Sequence, residues 1–302
     1  MNQYLEKSLI LATLSIVIAE ILSTSTPIWN LLNPINFLVL LGLYGSGVLL
    51  IRSIAIERKW SYLGILLLGL AYGIIEEGLA VKTFFEPKPD IVFGRIYGVN
   101  LHWAIYITLY HSVWSILTPI ALAETIYSKD SGKPWIKTSY RKILYITLTT
   151  TVLLFNLFAT KYTLEIKYYI ICIIVIVVTI LLANFMGSKT KKIITPKSYS
   201  RQWTAWSIIW IILAFILPHI IHKPAITIIL ALPLTYWAIS LSSKIRSNPF
   251  FTRLKAALVY GTIRGSTILI LLLLLTKREL HSFLALPIAI VIALYARRRM
   301  KQ

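Results

Sequence analysis

Apolar residues recur along this chain in ten long blocks. They run over about 8–24, 36–53, 61–84, 101–126, 143–160, 167–187, 203–222, 224–242, 256–275 and 281–297. A helix of roughly 20 apolar residues crosses a hydrocarbon layer of about 30 Å. Short polar segments rich in Lys, Arg, Ser and Pro separate the blocks. The pattern predicts an all-α fold, a polytopic transmembrane helical bundle forming one integral membrane domain over residues 1–302. The first block follows Lys7 as the core of a signal peptide would. Glu20 inside it, and the lack of a small-residue cleavage pattern, predict a retained helix instead.

Composition supports this reading. The chain is 57% hydrophobic with a mean hydropathy of +0.75, more apolar surface than a soluble domain hides. The net charge of +20 would point to nucleic acid in a soluble protein. Here the basic residues fall in short connections, so no nucleic-acid partner is expected. With the N-terminus inside, inner segments hold 22 of the 31 basic residues and outer segments 8, and Arg264 lies within a block. That asymmetry predicts both termini on the cytoplasmic side of a cell membrane, with contacts to anionic lipid head groups. Cys172 is the single cysteine. It excludes an internal disulfide and any multi-cysteine metal cage, and is expected as lipid-facing or packed filler. Trp203, Trp206 and Trp210 are expected in an interfacial belt.

Polar residues concentrate in blocks three and four, which mark residues 61–126 as the expected functional core and 143–302 as the helical remainder. Glu76 and Glu77 sit in GIIEEGLAVKTFFEP, at the end of an apolar run. Buried ionisable groups are costly in a membrane and usually pair or line a wet cavity. By the charge asymmetry, all five histidines fall in or beside the outer half, together with Glu20, Glu76 and Glu77. They predict one outer-facing cavity. Glu77 lies roughly 12 Å deep and His111 roughly 15 Å deep, so adjacent helices can bring them together. Gly69 and Gly73 form a GxxxG step that admits a close neighbour. Thr108, His111, Ser115 and Thr118 follow helical spacing, with Asn100 near the same line. His102 points almost oppositely.

These residues allow three readings. In one, Glu77 and His111, joined by His219 and His222, hold a divalent metal such as zinc that activates water. In the second, Glu76, Glu77 and His111 relay protons or cations. In the third, the carboxylates are structural and pair with Lys82, Arg95 or loop amides. Residues 85–100 form a long outer connection, either an ordinary loop or a re-entrant lid. Asn100, Thr108, Ser115 and Arg95 are candidate cavity-lining residues. Arg264 is expected to form a structural pair with Glu124.

GIIEEGLAVKTFF resembles the CAAX protease and bacteriocin-processing (CPBP, or Abi) membrane family. That family carries a paired-glutamate motif, EExxxR, and then FxxxH on a following helix. Glu76, Glu77 and His111 take those places, while Val81 replaces the arginine and Ile107 the aromatic. The resemblance implies an intramembrane, glutamate- or metal-dependent protease. EEGLAVKTFFEP, GVNLHWAIYITLYH and SILTPIALAE also look like a recurrent, uncharacterised family of prokaryotic polytopic membrane proteins. The leading expectation is therefore a membrane-embedded hydrolase acting on a membrane peptide or lipid-linked substrate. Glu76, Glu77 and His111 would be its catalytic residues. A proton-coupled transporter using the same residues is the alternative, and a structural or assembly subunit the third.

Overall fold

The computed structural model describes residues 3–86, 95–160, 162–190, 194–221, 223–277 and 280–302. Its architecture is all-α and polytopic. Helix α1 is Gln3–Ile16, continued through a wider turn at Val17–Ile21. It is followed by α2 (Pro34–Glu57), α3 (Tyr62–Ala80), α4 (Leu101–Ile126), α5 (Tyr140–Phe158), α6 (Ile166–Met186), α7 (Pro196–Ile221) and α8 (Pro224–Ser242). Then come α9 (Thr252–Lys277) and α10 (Leu280–Lys301). Among the described residues, 8 helices are long and apolar enough to cross a membrane. Large apolar side chains stay exposed along α5 and α6, as lipid contact requires.

Helices α3 and α4 form the centre. Their apolar windows are 83% and 89% buried, against 6% for α5. Small residues cause the close approach. A Cβ on Gly69 would stand 2.9 Å from Ser112 Cα, and one on Gly73 3.0 Å from the Thr108 carbonyl oxygen. The GxxxG step thus carries backbone-to-backbone contact, one turn before Glu76 and Glu77. Gly73→Val is expected to push α4 away and open the Glu77–His111 contact. Loss of a disulfide between cysteines engineered at the contacting positions would report the separation; unchanged cross-linking would contradict it. Cys172 is packed filler, buried against Phe84 and the backbone of Gly78.

The basic segments assigned to one side do gather at one end of the bundle. Lys7 pairs with Asp130 at 2.6 Å, Arg52 donates to the Lys133 carbonyl, and Arg246 to the Lys59 carbonyl. The Lys133 and Lys7 ammonium groups, hydrogen-bonded to Asp130, hold its carboxyl down to about 2. An unfolded Asp titrates near roughly 3.9. The stabilisation from Asp130 is therefore full above that value and is lost as pH falls towards 2. Asp130→Asn should lower the melting temperature at pH 6 but converge with the unmodified protein near pH 2. Parallel curves would refute this.

Two expectations are corrected here. Glu124 does not pair with Arg264. Its Oε1 lies 3.0 Å from Arg52 Nε and its Oε2 3.1 Å from Lys255 Nζ, while the Tyr62 hydroxyl donates to Oε2. Arg264 is exposed and lies over the Tyr260 ring. Lys255 and Arg264 are nine residues apart, about half a turn in azimuth on an α-helix, so facing one towards Glu124 turns the other outward. The tryptophans are likewise internal. Trp203, Trp206 and Trp210 are at most 2% exposed. Trp206 and Trp210 pack on Trp114 with centroids 5.5 and 5.0 Å away. Their indole N–H groups donate to the Leu234 and Tyr106 carbonyls, which satisfies the polar edge inside the bundle.

Candidate functional site

The site lies where α3 and α4 cross, against α1 and α2. Each of these helices widens into a π-type turn there: Val17–Ile21, Leu41–Gly45, Ile75–Ala80 and His111–Leu117. Such turns insert a residue into the helical ladder and are frequent at functional sites. In α3, the Val81 N–H reaches back to the Glu76 carbonyl at 2.8 Å. The wider turn brings successive side chains closer in azimuth, which lets adjacent glutamates face one partner.

That partner is His111. Its Nε2 lies 2.8 Å from Glu77 Oε1, and its Nδ1 3.0 Å from Glu76 Oε2. Ser115 Oγ is also 3.0 Å from Nδ1. The imidazole therefore stands between two carboxylates. Glu76, Glu77 and His111 are all buried, and one donor atom from each falls within a 4.8 Å cluster. The second oxygen of Glu77 accepts from Thr83, whose oxygen in turn accepts from Trp103 Nε1 at 3.0 Å. On the other flank, the Tyr44 ring stacks on His111 with centroids 6.4 Å apart, and Tyr72 meets it edge-on at 6.5 Å.

Two buried polar atoms here lack a well-formed hydrogen bond, Glu76 Oε2 and the Tyr72 hydroxyl. Glu76 Oε2 comes within 3.0 Å of Nδ1 without forming a hydrogen bond, and Nδ1 bonds the Ser115 hydroxyl. Orphaned buried oxygens mark a place where a water, a proton or a cation is accommodated. Among the described residues, Lys82 and Arg95 do not fill that role. Lys82 donates to the Asn156 and Tyr162 carbonyls, and Arg95 to the Gly98 and Glu86 carbonyls. The structural reading thus lacks both cations expected to pair with the glutamates.

The remaining candidates lie around this centre or apart from it. Asn100 caps α4 by accepting from the Trp103 N–H. Thr108 is buried on the α4 face that meets Gly73. Arg95 belongs to a small hairpin, Arg95–Ile96 paired with Val99–Asn100. The rest of the proposed lid, 87–94, lies outside the described residues. His102 bonds Thr227 and the Ala214 carbonyl, away from the site as its spacing predicted. His219 is exposed and outside the cluster, and His222 lies outside the described residues.

Glu20 was grouped with the outer-facing cavity but given no role, and Tyr44, Tyr72, Thr83 and Trp103 were not among the candidates. Glu20 is the only acidic residue in the second half of α1, which was the available signal. The aromatic residues carried none, because buried tyrosine and tryptophan are common in any core.

As a metal site, the cluster offers three ligands, the number a catalytic zinc centre takes from protein. The free Glu76 Oε2 suits that use. The imidazole does not in its present bonding, since a metal would require Nε2 to give up Glu77 or Nδ1 to give up Ser115.

A family model described as an uncharacterised membrane protein family matches residues 9–298. No curated protein and no solved structure matches the chain. These comparisons do not support the CPBP resemblance.

Proposed function

We propose that this chain, which belongs to that uncharacterised membrane protein family, is a multi-pass membrane protein that exchanges protons at Glu76–His111–Glu77. That exchange is coupled to movement of a solute across the bilayer. The supporting observation is an imidazole whose Nε2 bonds Glu77 and whose Nδ1, bonded to the Ser115 hydroxyl, lies 3.0 Å from Glu76. Neutral imidazole accepts at one nitrogen and donates from the other, so once Nδ1 turns from Ser115 to the nearby Glu76 oxygen it passes a proton between Glu77 and Glu76. The charge count points the same way. Among the described residues, two buried carboxylates meet one imidazole, with Lys82 and Arg95 bonded elsewhere, and so call for a shared proton or a bound cation. Protonation is therefore linked to whatever rearrangement opens the site.

The test is infrared difference spectroscopy on reconstituted protein. A buried protonated-carboxyl band should change with pH and disappear in Glu77→Gln. A carboxyl region that ignores pH in folded protein would overturn the proposal.

The orphaned Glu76 oxygen favours a second reading, a metal-assisted hydrolase using Glu76, Glu77 and His111 as ligands. The metal would polarise water there, and the displaced carboxylate oxygen would accept its proton. Metal analysis of detergent-purified protein separates the readings. Near-stoichiometric zinc, lost in both Glu77→Gln and His111→Ala, would select the hydrolase.

A further inference from the structure

A groove opens on the bundle surface between α1 and α5, with α2 as its base. Leu5 and Leu9 of α1 and Ile143 of α5 wall it, and Gly42, Gly45 and Ser46 of α2 line its base. Both walls close on α2 at glycines. A Cβ on Gly45 would stand 3.1 Å from Ala12 Cβ, and one on Gly42 2.5 Å from Thr151 Oγ1. The cavity holds about 620 Å³, within the roughly 300–1,000 Å³ of small-molecule sites. Along α2 it extends from Leu38 to Leu49. That is about 16 Å at the α-helical rise, close to half of a hydrocarbon core of roughly 30 Å. The groove is therefore as deep as one leaflet.

Its interior suits a hydrocarbon chain and not a polar solute. The Ser8 hydroxyl donates to the Tyr4 and Trp135 carbonyls, and the Ser46 hydroxyl to the Gly42 carbonyl. Both serines are thus committed to the backbone. Leu5, Leu9, Leu38 and Ile143 line the groove and stay exposed, so it opens sideways onto lipid. An acyl chain gains no apolar contact there that the bilayer denies it, because lipid tails are as apolar as leucine. Selection among lipids therefore falls to the head group, at the mouth. Tyr4, Lys137 and Tyr140 line the groove at the basic end of the bundle, and tyrosine favours head-group level. The neighbouring cations have counter-charges: Lys7 and Lys133 share Asp130, and Arg141 pairs with Glu57. Lys137 is exposed, and among the described residues no acidic side chain pairs with it.

We propose that this groove is a discrete binding site for an anionic phospholipid from the leaflet at the basic end. One acyl chain lies between α1 and α5 on the α2 base, and the head-group phosphate meets Lys137. The site is independent of the proton-exchange reading above.

The experiment incubates detergent-purified protein with equal amounts of dioleoyl phosphatidylglycerol and dioleoyl phosphatidylcholine. Gel filtration removes free lipid, and mass spectrometry measures what stays bound. The two probes share their acyl chains, so any preference reports the head group. The unmodified protein should retain the phosphatidylglycerol in excess. Lys137→Gln should lower the ratio of the two lipids about fivefold, the worth of one basic side chain at an anionic surface. Leu144 lines the groove from a half-buried position on α5, so Leu144→Trp should fill the groove and lose both lipids. Lys197 is exposed and does not line the groove, so Lys197→Gln should leave the ratio unchanged. Equal retention of the two lipids by the unmodified protein overturns the proposal, as does an unchanged ratio in Lys137→Gln. A folded Leu144→Trp that keeps its lipid also overturns it. Conversion of a dimer to a monomer by Leu144→Trp, with lipid retention unaltered, would give the groove to a second copy of the chain instead.

Discussion

Glu124→Ala is expected to destabilise the protein by about 3–5 kcal/mol, the usual cost of breaking a buried ion pair by removing one partner. Glu124 and Lys255 are fully buried, and Arg52 is 2% exposed. One carboxylate pairs with both cations, one on each oxygen, and draws α2, α4 and α9 together. Arg52 also donates to the Ser131 carbonyl and lies 3.4 Å from the Trp135 ring centroid, so the cluster ties the α4–α5 connection to the bundle. Without Glu124, two cations remain in a low-dielectric interior with no counter-charge. Lys255→Met should cost less, since Arg52 still neutralises Glu124. Arg264→Ala should change stability by no more than roughly 0.5 kcal/mol, as exposed substitutions do. Unfolding in mixed micelles measures all three. A loss in Arg264→Ala equal to that in Glu124→Ala would show that the wrong partner has been assigned.

That comparison also marks how far the sequence could be read. The helices were legible because each apolar block is long and bounded by polar residues. The meeting of Glu77 and His111 was legible because depth along adjacent helices is arithmetic, and Gly69 and Gly73 announce close contact. Azimuth was harder. Lys255 and Arg264 lie on opposite faces of α9, but apolar residues cover both faces, so periodicity could not say which cation looks inward. The wide turns in α1 to α4 shift the facing of every later residue relative to an ideal helix. For that reason Tyr44, inside the wide turn of α2, could not be placed beside His111 from spacing. Trp206 and Trp210 mislead in a related way: an indole N–H finds a neighbouring helix carbonyl as readily as a head group.

Glu77→Gln is expected to abolish pH-gradient-driven solute movement, by at least about 100-fold if relay loss resembles loss of a general acid–base group. The same variant should fold as well as the unmodified protein, or better. Glutamine keeps the length of the side chain, and its amide can still bond His111 and Thr83. It removes a buried negative charge whose desolvation is unfavourable. What it loses is the capacity to accept a proton from His111 Nε2. Stability and function should thus move in opposite directions at Glu77, whereas at Glu124 they should fall together. The measurement pairs an unfolding curve with uptake into proteoliposomes under an imposed pH gradient, across a panel of solutes that includes cations and small acids. A stable Glu77→Gln that still couples uptake to the gradient would remove Glu77 from the relay. A Glu77→Gln that fails to fold would instead make the triad a structural pin like the Arg52–Glu124–Lys255 cluster. The contrast is sharp because the two clusters differ in kind: one holds two cations around a carboxylate, while the other holds two carboxylates around a group that can carry a proton on either side.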